Sequence, residues 1–159
     1  MTESRLVYNS DADDLERKIC YKFRNRNLLL RALTRHAYAK ENSLKDSDYM
    51  DAYATLGDAV IDVVAISYLI NEGEHEKGVI SAKKADLVNM SSLRSLAESM
   101  ELEKYVLWGK GEQRQHIWTS GRVLAECVES ISGALYIDGG IDSVREFLEG
   151  TGFFSVKKY

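Results

Sequence analysis

The most apolar stretch of the chain is a helix-length segment that starts near Asp51 and continues to Ile70. Beyond Leu56 its apolar residues fall on nearly every side of a helix, so we expect this helix to be buried at the centre of the fold. The first half nevertheless carries acids: Asp51 and Asp58 lie two turns apart on one face, and Asp62 follows one turn later. Burying carboxylates is costly unless a positive charge compensates them, which makes a bound cation the obvious candidate.

A second apolar helix is predicted over Leu124–Tyr136, and it carries Glu126 and Glu129 three residues apart. Two buried helices that both direct acids inward form an oxygen-rich site, the kind that Mg²⁺ or Mn²⁺ prefers. The alternative is that these acids are partly exposed or pair with Arg and Lys, and for a single pair of acids we would prefer that alternative. Acids on both of the most apolar helices favour the metal site.

The remaining pattern predicts shorter helices and no strand, which gives an all-α domain of about seven helices around the central one. The predicted helices are Asp11–Tyr21 with Ser10 as N-cap, Arg26–Arg35 with Asn25 as N-cap, Val79–Leu87, Ser91–Met100 with Asn89 as N-cap, a short turn or helix over Leu102–Leu107, and Asp142–Leu148. Residues 38–47 and 113–119 are polar without periodicity and are predicted to be loops, and Asp138-Gly139-Gly140 predicts a break.

Length and composition indicate one folded domain over residues 1–159, with a core at about 11–150. The chain has 159 residues, of which 45% are hydrophobic and 29% charged, as in an ordinary globular protein. The apolar run at Ile61–Ile70 is interrupted by Asp62 and Ser67, so we expect no membrane span.

The cell compartment is predicted from the N-terminus and the cysteines. The first residues lack the basic and then apolar order of a secretory signal, so we expect a cytoplasmic protein. Cys20 and Cys127 occur within helical patterns and are interpreted as reduced core residues. No cysteine or histidine spacing typical of a zinc site occurs.

The net charge of −4 is weak evidence against nucleic acid, because an acidic metal site lowers the total without excluding a basic rim. The candidate phosphate contacts are Lys83, Lys84, Lys110, Arg114 and Arg122. For any one of them a solvated surface position is the simpler explanation. Trp118 and His116 are candidates for approaching RNA, although a tryptophan in a loop more often packs down as a local lid.

These features resemble the catalytic domain of ribonuclease III over most of the chain, from Leu15 to Leu148. The motifs that carry the resemblance are Tyr21-Lys22-Phe23, Ala32-Leu33-Thr34, Leu56-Gly57-Asp58-Ala59-Val60, Leu87-Val88-Asn89, Leu107-Trp108-Gly109-Lys110-Gly111-Glu112, Glu126-Cys127-Val128-Glu129 and the run from Gly133 to Gly140. Each motif alone is a weak signal. Together, in the family's order and spacing, they are a strong one.

The resemblance implies an all-helical homodimer that uses Mg²⁺ to hydrolyse double-stranded RNA, leaving 5′-phosphate and 3′-hydroxyl ends. Mn²⁺ is expected to substitute. The family's signature aspartate falls on Asp58 and its outer signature glutamate on Asp51, while its two late acids fall on Glu126 and Glu129. By this resemblance Asp58 and Glu129 are catalytic residues and direct metal ligands, Glu126 is the third ligand, and Asp51 belongs to the same set.

The chain also departs from the family's pattern. Ala54 replaces the inner signature glutamate, and Thr55 replaces a phenylalanine that plugs a pocket on the partner subunit, leaving Tyr53, Tyr49 and Met50 as apolar substitutes. The usual histidine after Ala-Leu-Thr is Arg35, followed by His36, and an acid expected near the start of the next helix falls on Val79. Alanine at position 54 does not by itself imply inactivity, because the small Mini-III branch of the family also carries a small residue there. An inactivating substitution at this position is the other explanation.

Two hypotheses of different classes follow. The first is a metal-dependent endoribonuclease specific for double-stranded RNA, favoured by Asp58, Glu126 and Glu129. The second is a catalytically impaired domain that binds structured RNA or a protein partner, favoured by Ala54. The family's C-terminal RNA-binding domain is not in this sequence, so the chain is either a one-domain member or part of a longer protein. We prefer the nuclease, because three inward acids would only repel phosphate in a protein that merely bound RNA.

Overall fold

The computed structural model describes residues 9–119 and 121–155, and these two ranges form α-helices with no strand. In chain order the helices are α1 (Asn9–Ile19), α2 (Arg26–Ala32), α3 (His36–Glu41), α4 (Asp51–Asn71), α5 (Lys77–Leu87), α6 (Met90–Ser99), α7 (Lys110–Arg114) and α8 (Val123–Gly150). Short 3₁₀ helices cover Asp46–Asp48, Leu102–Lys104 and Ile117–Thr119. The all-α prediction, with a central buried helix, is confirmed.

Helix α4 packs along α8 more extensively than any other pair of described elements, and the contact depends on two glycines. A Cβ added to Gly57 would lie 1.6 Å from the backbone oxygen of Glu129, and one added to Gly133 would lie 2.2 Å from that of Tyr53. Since residue 57 meets 129 and residue 53 meets 133, the helices run antiparallel with their backbones in direct contact. The absence of side chains at Gly57 and Gly133 is thus what allows the close approach.

Helix α4 is also long and apolar enough, by length and composition alone, to cross a membrane. Its position explains this composition without a bilayer. Val60, Ile61, Val64 and Leu69 are buried within the chain, chiefly where α4 packs on α8. A core helix covered on several sides needs the same apolar residues that a membrane-spanning helix needs.

Several predicted boundaries differ from the structure. Helix α2 ends at Ala32 instead of Arg35, because Thr34 leaves the helix to form an isolated bridge with Leu107. The segment 38–47, predicted as a loop, contains the end of α3, and the loop at 113–119 contains the end of α7 and a 3₁₀ helix. Both α-helices are too short to show a hydrophobic period.

The predicted ends of other elements are confirmed in part. Asn25 and Asn89 cap α2 and α6 by accepting hydrogen bonds from the backbone amides of Asn27 and Ser92. Ser10, in contrast, lies inside α1 and does not precede it. The predicted break before residue 141 is a kink in one long helix, at Gly140 with φ of 74°.

The two cysteines differ in environment. Cys127 is fully buried in α8, as predicted, and burial raises the pKa of its thiol to about 12. Cys20 is exposed beyond the end of α1, so its predicted core position is wrong. It adopts a positive φ of 65° there, where the chain turns out of the helix.

Asp138, close to the kink of α8, attaches this helix to the loop between α1 and α2. Its carboxylate accepts hydrogen bonds from the Tyr21 hydroxyl at 2.7 Å and from the amides of Arg24 and Asn25 at 2.8 and 3.1 Å. Burial alone would raise the pKa of Asp138, but these donors outweigh it and lower the pKa below its ordinary value. Burial of the Tyr21 hydroxyl, together with its hydrogen bond to Asp138, raises the pKa of Tyr21 to about 12.

We expect the variant Gly57→Ala to lose about 3 kcal/mol or more of its free energy of unfolding, because the new methyl group overlaps a backbone atom that cannot move independently. Thermal and urea unfolding followed by circular dichroism would measure this. Gly111→Ala is the matched control, since nothing lies within 4 Å of a Cβ at that helical position. Equal stability of the two variants would contradict the close contact of α4 and α8.

Candidate active site

The close contact at Gly57 and Gly133 brings together two acids, one from each helix. Asp58 follows Gly57 on α4, and Glu129 lies opposite on α8, where its carboxyl group is within hydrogen-bonding reach of Asp58. The pKa of Glu129 is raised to about 7, chiefly by burial and next by the neighbouring Asp58. Arg122 opposes this shift only in part. Burial and Asp58 thus disfavour the ionised form of Glu129 more than Arg122 favours it.

Glu126 lies one turn before Glu129 on α8 and faces cations. One carboxylate oxygen is 3.5 Å from the Arg35 guanidinium, and the other is 4.0 Å from Arg122. Arg35 also binds Glu112, with Nε and Nη2 at 3.1 and 2.9 Å from the same oxygen. The alternative considered for the acids, that they are partly exposed or pair with Arg and Lys, therefore describes Glu126, and its first half also describes Asp58, which is exposed, and Glu129, which is partly exposed.

Asp51 lies at the start of α4, two turns before Asp58. Its carboxylate is 3.7 Å from Nδ1 of His36, and the imidazole of His36 stacks on Tyr49 with 4.4 Å between ring centroids. Asp51 is mostly exposed. Of the four acids assigned to the metal, the structure thus brings Asp58 and Glu129 together and gives Glu126 and Asp51 basic partners.

The residues fit a hard divalent cation at the Asp58–Glu129 pair, because two carboxylates in contact without a neutralising cation are what such an ion stabilises. Within residues 9–119 and 121–155, however, no group of three or more His, Cys, Asp or Glu side chains is arranged so that it could hold a metal ion. A third protein ligand would therefore require Glu126 to exchange an arginine for the metal.

The predicted phosphate contacts divide into two groups. Lys83 forms an ion pair with Glu74, Lys84 lies 3.4 Å from Asp62, and Arg122 is the partner of Glu126 already described. Lys110 and Arg114, both exposed on α7, form no ion pair with another described residue. The second group has positive charge that is free to meet a polyanion.

Aromatic residues next to α7 form a column that leads from the acids to the surface. The Arg35 guanidinium lies 5.7 Å from the Trp108 ring, Trp108 is 5.1 Å from Trp118, and His116 stacks on Trp118 at 5.2 Å. Trp118 is half-buried by these contacts, as expected of a local lid. His116 is the exposed end of the column.

Two of the apolar residues proposed to replace the family's phenylalanine plug are not available for that role. Tyr53 and Met50 are 7% and 1% exposed and pack within their own chain, with Arg31 lying over the Tyr53 ring. This expectation was wrong because sequence periodicity cannot tell which side of an apolar helix faces the chain's own core. Tyr49 remains half-exposed beside His36.

Sequence reasoning gave no role to the pair of Arg35 and Glu112, although both lie next to the acids. Glu112 belongs to a quoted motif, and its position three residues after Gly109 is the N3 position of a capping box, which was a usable signal. Its Oε1 does accept from the amide of Gly109, at 3.0 Å. Its other oxygen binds Arg35, which lies 77 residues away in the sequence, so no local pattern could indicate that contact.

The family is decided by comparison with known proteins. Residues 25–153 match the family model described as Ribonuclease-III-like. The chain belongs to the ribonuclease III family. It is 40% identical to ribonuclease 3 of Clostridium tetani over 143 residues, which cover 87% of this chain and 58% of that protein. It is 35% identical to ribonuclease 3 of Clostridium acetobutylicum over an alignment of 161 residues, covering 95% and 65%.

Solved structures of the nuclease domain of ribonuclease III from Campylobacter jejuni agree with this assignment. One has a TM-score of 0.79 at 26% identity and covers 92% of this chain and 97% of the other. The second, described for flexibility in a region involved in dimer formation, has a TM-score of 0.78 at 28% identity and covers 87% and 94%. This ribonuclease III family member thus has the nuclease-domain fold and spans less than two thirds of the length of the two clostridial relatives.

Because like charges meet at Asp58 and Glu129, we expect Asp58→Asn to raise the free energy of unfolding by up to about 1 kcal/mol in EDTA at pH 8. Urea denaturation would measure the change. Asp62→Asn, on the same helix, is the control: it loses the ion pair with Lys84, so its stability should be unchanged or slightly lower. A loss of stability in Asp58→Asn would mean that the two carboxylates do not repel each other.

Proposed function

We propose that this chain is a divalent-metal-dependent endoribonuclease that cleaves double-stranded RNA as a homodimer, leaving 5′-phosphate and 3′-hydroxyl ends. The observation that carries the proposal is the carboxylate pair of Asp58 and Glu129, held at the closest contact of α4 and α8 within a ribonuclease III nuclease-domain fold. Two neighbouring carboxylates, one of them partly buried, are stabilised by a bound cation, so metal binding gives this arrangement a function.

Asp58 and Glu129 are the residues that would hold Mg²⁺, or Mn²⁺ in its place. When bound there, the ion would supply Lewis-acid polarisation of the phosphate and a bound water of lowered pKa. Glu126, one turn earlier on α8, is the third oxygen donor that we assign, and its ion pairs with Arg35 and Arg122 compete with that role. Asp51 is the outermost acid of the set, oriented by His36.

RNA binding is assigned mainly to Lys110 and Arg114, whose charge no described acid neutralises. Lys83, Lys84 and Arg122 are weaker candidates, since each would have to leave an acidic partner to reach a phosphate. Without a cation, the acids of the site repel the RNA backbone. Substrate binding and metal binding should therefore assist each other.

The homodimer is supported by apolar side chains that the single chain leaves exposed. Val63 and Ile70, two turns apart on α4, are 53% and 43% exposed, and Tyr136 and Ile137 on α8 are 42% and 48% exposed. Exposed apolar residues on the two central helices are suited to contact with a second copy. Two sites in one dimer would allow both strands of a duplex to be cut.

A second candidate function is a catalytically impaired domain that binds structured RNA or a protein partner. Two observations favour it: Ala54 stands one turn before Asp58, where a further carboxylate would complete the acidic face, and Arg35 contacts Glu126 directly. Both reduce the number of oxygen donors for a metal.

Cleavage of a long generic RNA duplex distinguishes the two functions. We expect Mg²⁺ or Mn²⁺ to give products with 5′-phosphate ends, and we expect EDTA, Asp58→Asn and Glu129→Gln each to reduce the rate by at least about a hundredfold, because the ion loses a direct ligand. Analytical ultracentrifugation in parallel should show a dimer for all three proteins.

The opposite results have equally clear meanings. If Glu129→Gln retained full activity, the assignment of Glu129 as a metal ligand at the active site would be wrong. No cleavage by a folded, dimeric wild type with either ion would favour the binding function. In that case Ala54→Glu should restore activity if the absent carboxylate is the cause.

The assignment of the phosphate contacts predicts that Lys110→Ala/Arg114→Ala binds a 30-base-pair duplex several-fold more weakly at about 0.1 M salt, with a smaller slope of log affinity against log salt concentration. Fluorescence anisotropy in Ca²⁺ would measure both quantities. Lys83→Ala is the matched control, because its charge is already paired with Glu74. If the control loses as much affinity as the double variant, the RNA surface lies on α5.

A further inference from the structure

Arg35 is the most buried cation near the site, and it contacts one more acid than is needed to compensate its charge. Its side chain is 14% exposed, and it binds Glu112 in a two-nitrogen contact at 3.1 and 2.9 Å. Glu112 alone would compensate the buried charge. The remaining nitrogen, Nη1, nevertheless points toward Glu126 at 3.5 Å and the sulfur of Met50 at 3.6 Å.

The guanidinium cannot easily turn away from this position. It lies over the Trp108 ring, and its own backbone amide donates to the carbonyl of Leu107 at 3.2 Å. An arginine guanidinium stays protonated in proteins, so Arg35 is a permanent positive charge next to a proposed metal ligand.

The charges of this region can be counted from the contacts. The contacts link four acids: Glu112 and Glu126 both contact Arg35, and Glu129 lies beside Asp58. Arg122 adds a second positive charge beside Glu126. With every group ionised, two unbalanced negative charges remain, which is the charge that one divalent cation neutralises.

We propose that Arg35 competes with a divalent ion for Glu126 and thereby limits the Asp58–Glu129 site to one weakly bound ion. This inference rests on the proposed metal-dependent function. Arg35 neutralises part of the negative charge of the acids, and Ala54 contributes no carboxylate one turn before Asp58. Less negative charge therefore remains to attract a divalent ion.

Calorimetric titration of the full chain with Mn²⁺, without RNA and at low salt, tests the proposal. We expect the wild type to bind one ion per chain. Arg35→Gln should bind Mn²⁺ about tenfold more tightly or more, or take up a second ion, because removing a nearby positive charge strengthens the attraction of a dication. Arg145→Gln is the control, since it removes the same charge from the surface pair with Asp142 and should leave the affinity unchanged.

The outcomes separate this inference from the function on which it rests. Unchanged or weaker binding in Arg35→Gln, with a lowered melting temperature, would make Arg35 a purely structural bridge and overturn the proposal. If the wild type binds no Mn²⁺ but Arg35→Gln does, the competition between Arg35 and the ion is upheld, whereas the single ion of the wild type and its metal-dependent function are not. If neither protein binds the ion, both fail.

Arg35→Gln leaves Glu112 without its cation, so a second comparison guards against misfolding. Glu112→Gln keeps Arg35, and Arg35→Gln/Glu112→Gln replaces the ion pair by two amides. Within this pair of variants, loss of Arg35 should again raise Mn²⁺ affinity about tenfold or more. Equal affinity of the two variants would overturn the proposal in the same way.

Discussion

The backbone contact of α4 with α8 is the constraint on which the site depends. Gly57 and Gly133 have no side chains, so each helix approaches the other until carbonyl oxygens occupy the space where Cβ atoms would be. That distance places Glu129 beside Asp58, and burial together with this neighbour raises the pKa of Glu129. A wider separation of the helices would remove that interaction. The acidity of the site is therefore a consequence of packing as much as of residue type.

Charge around the acid pair is distributed unevenly, and this distinguishes the two ends of the site. Glu126 has two arginines within 4.0 Å, whereas Glu129, one turn later on the same helix, has Asp58 within hydrogen-bonding reach and forms no ion pair with a described cation. Arg35 beside Glu126, and a residue without charge at Ala54, both limit the negative charge of the site, so they act in the same direction.

The amino-acid sequence predicts the long elements well because their signals are long. The apolar runs identified α4 and α8, and Asn25 and Asn89 marked the starts of α2 and α6. Helix α3, with six residues, has too few positions for a period to appear. The spacing of Glu126 and Glu129 on one helix indicated a site but not the different partners of the two acids, since those partners come from other parts of the chain. The burial of Tyr53 and Met50 was missed for the same reason.

Glu112 connects the acidic site to helix α7. One of its oxygens caps the helix that presents Lys110 and Arg114, and the other holds Arg35 against the acids. A mutation that removes Arg35 alone would strand a carboxylate in a half-buried position, and one that removes Glu112 alone would strand a guanidinium. The two residues therefore form one energetic unit, although 77 residues separate them in the sequence.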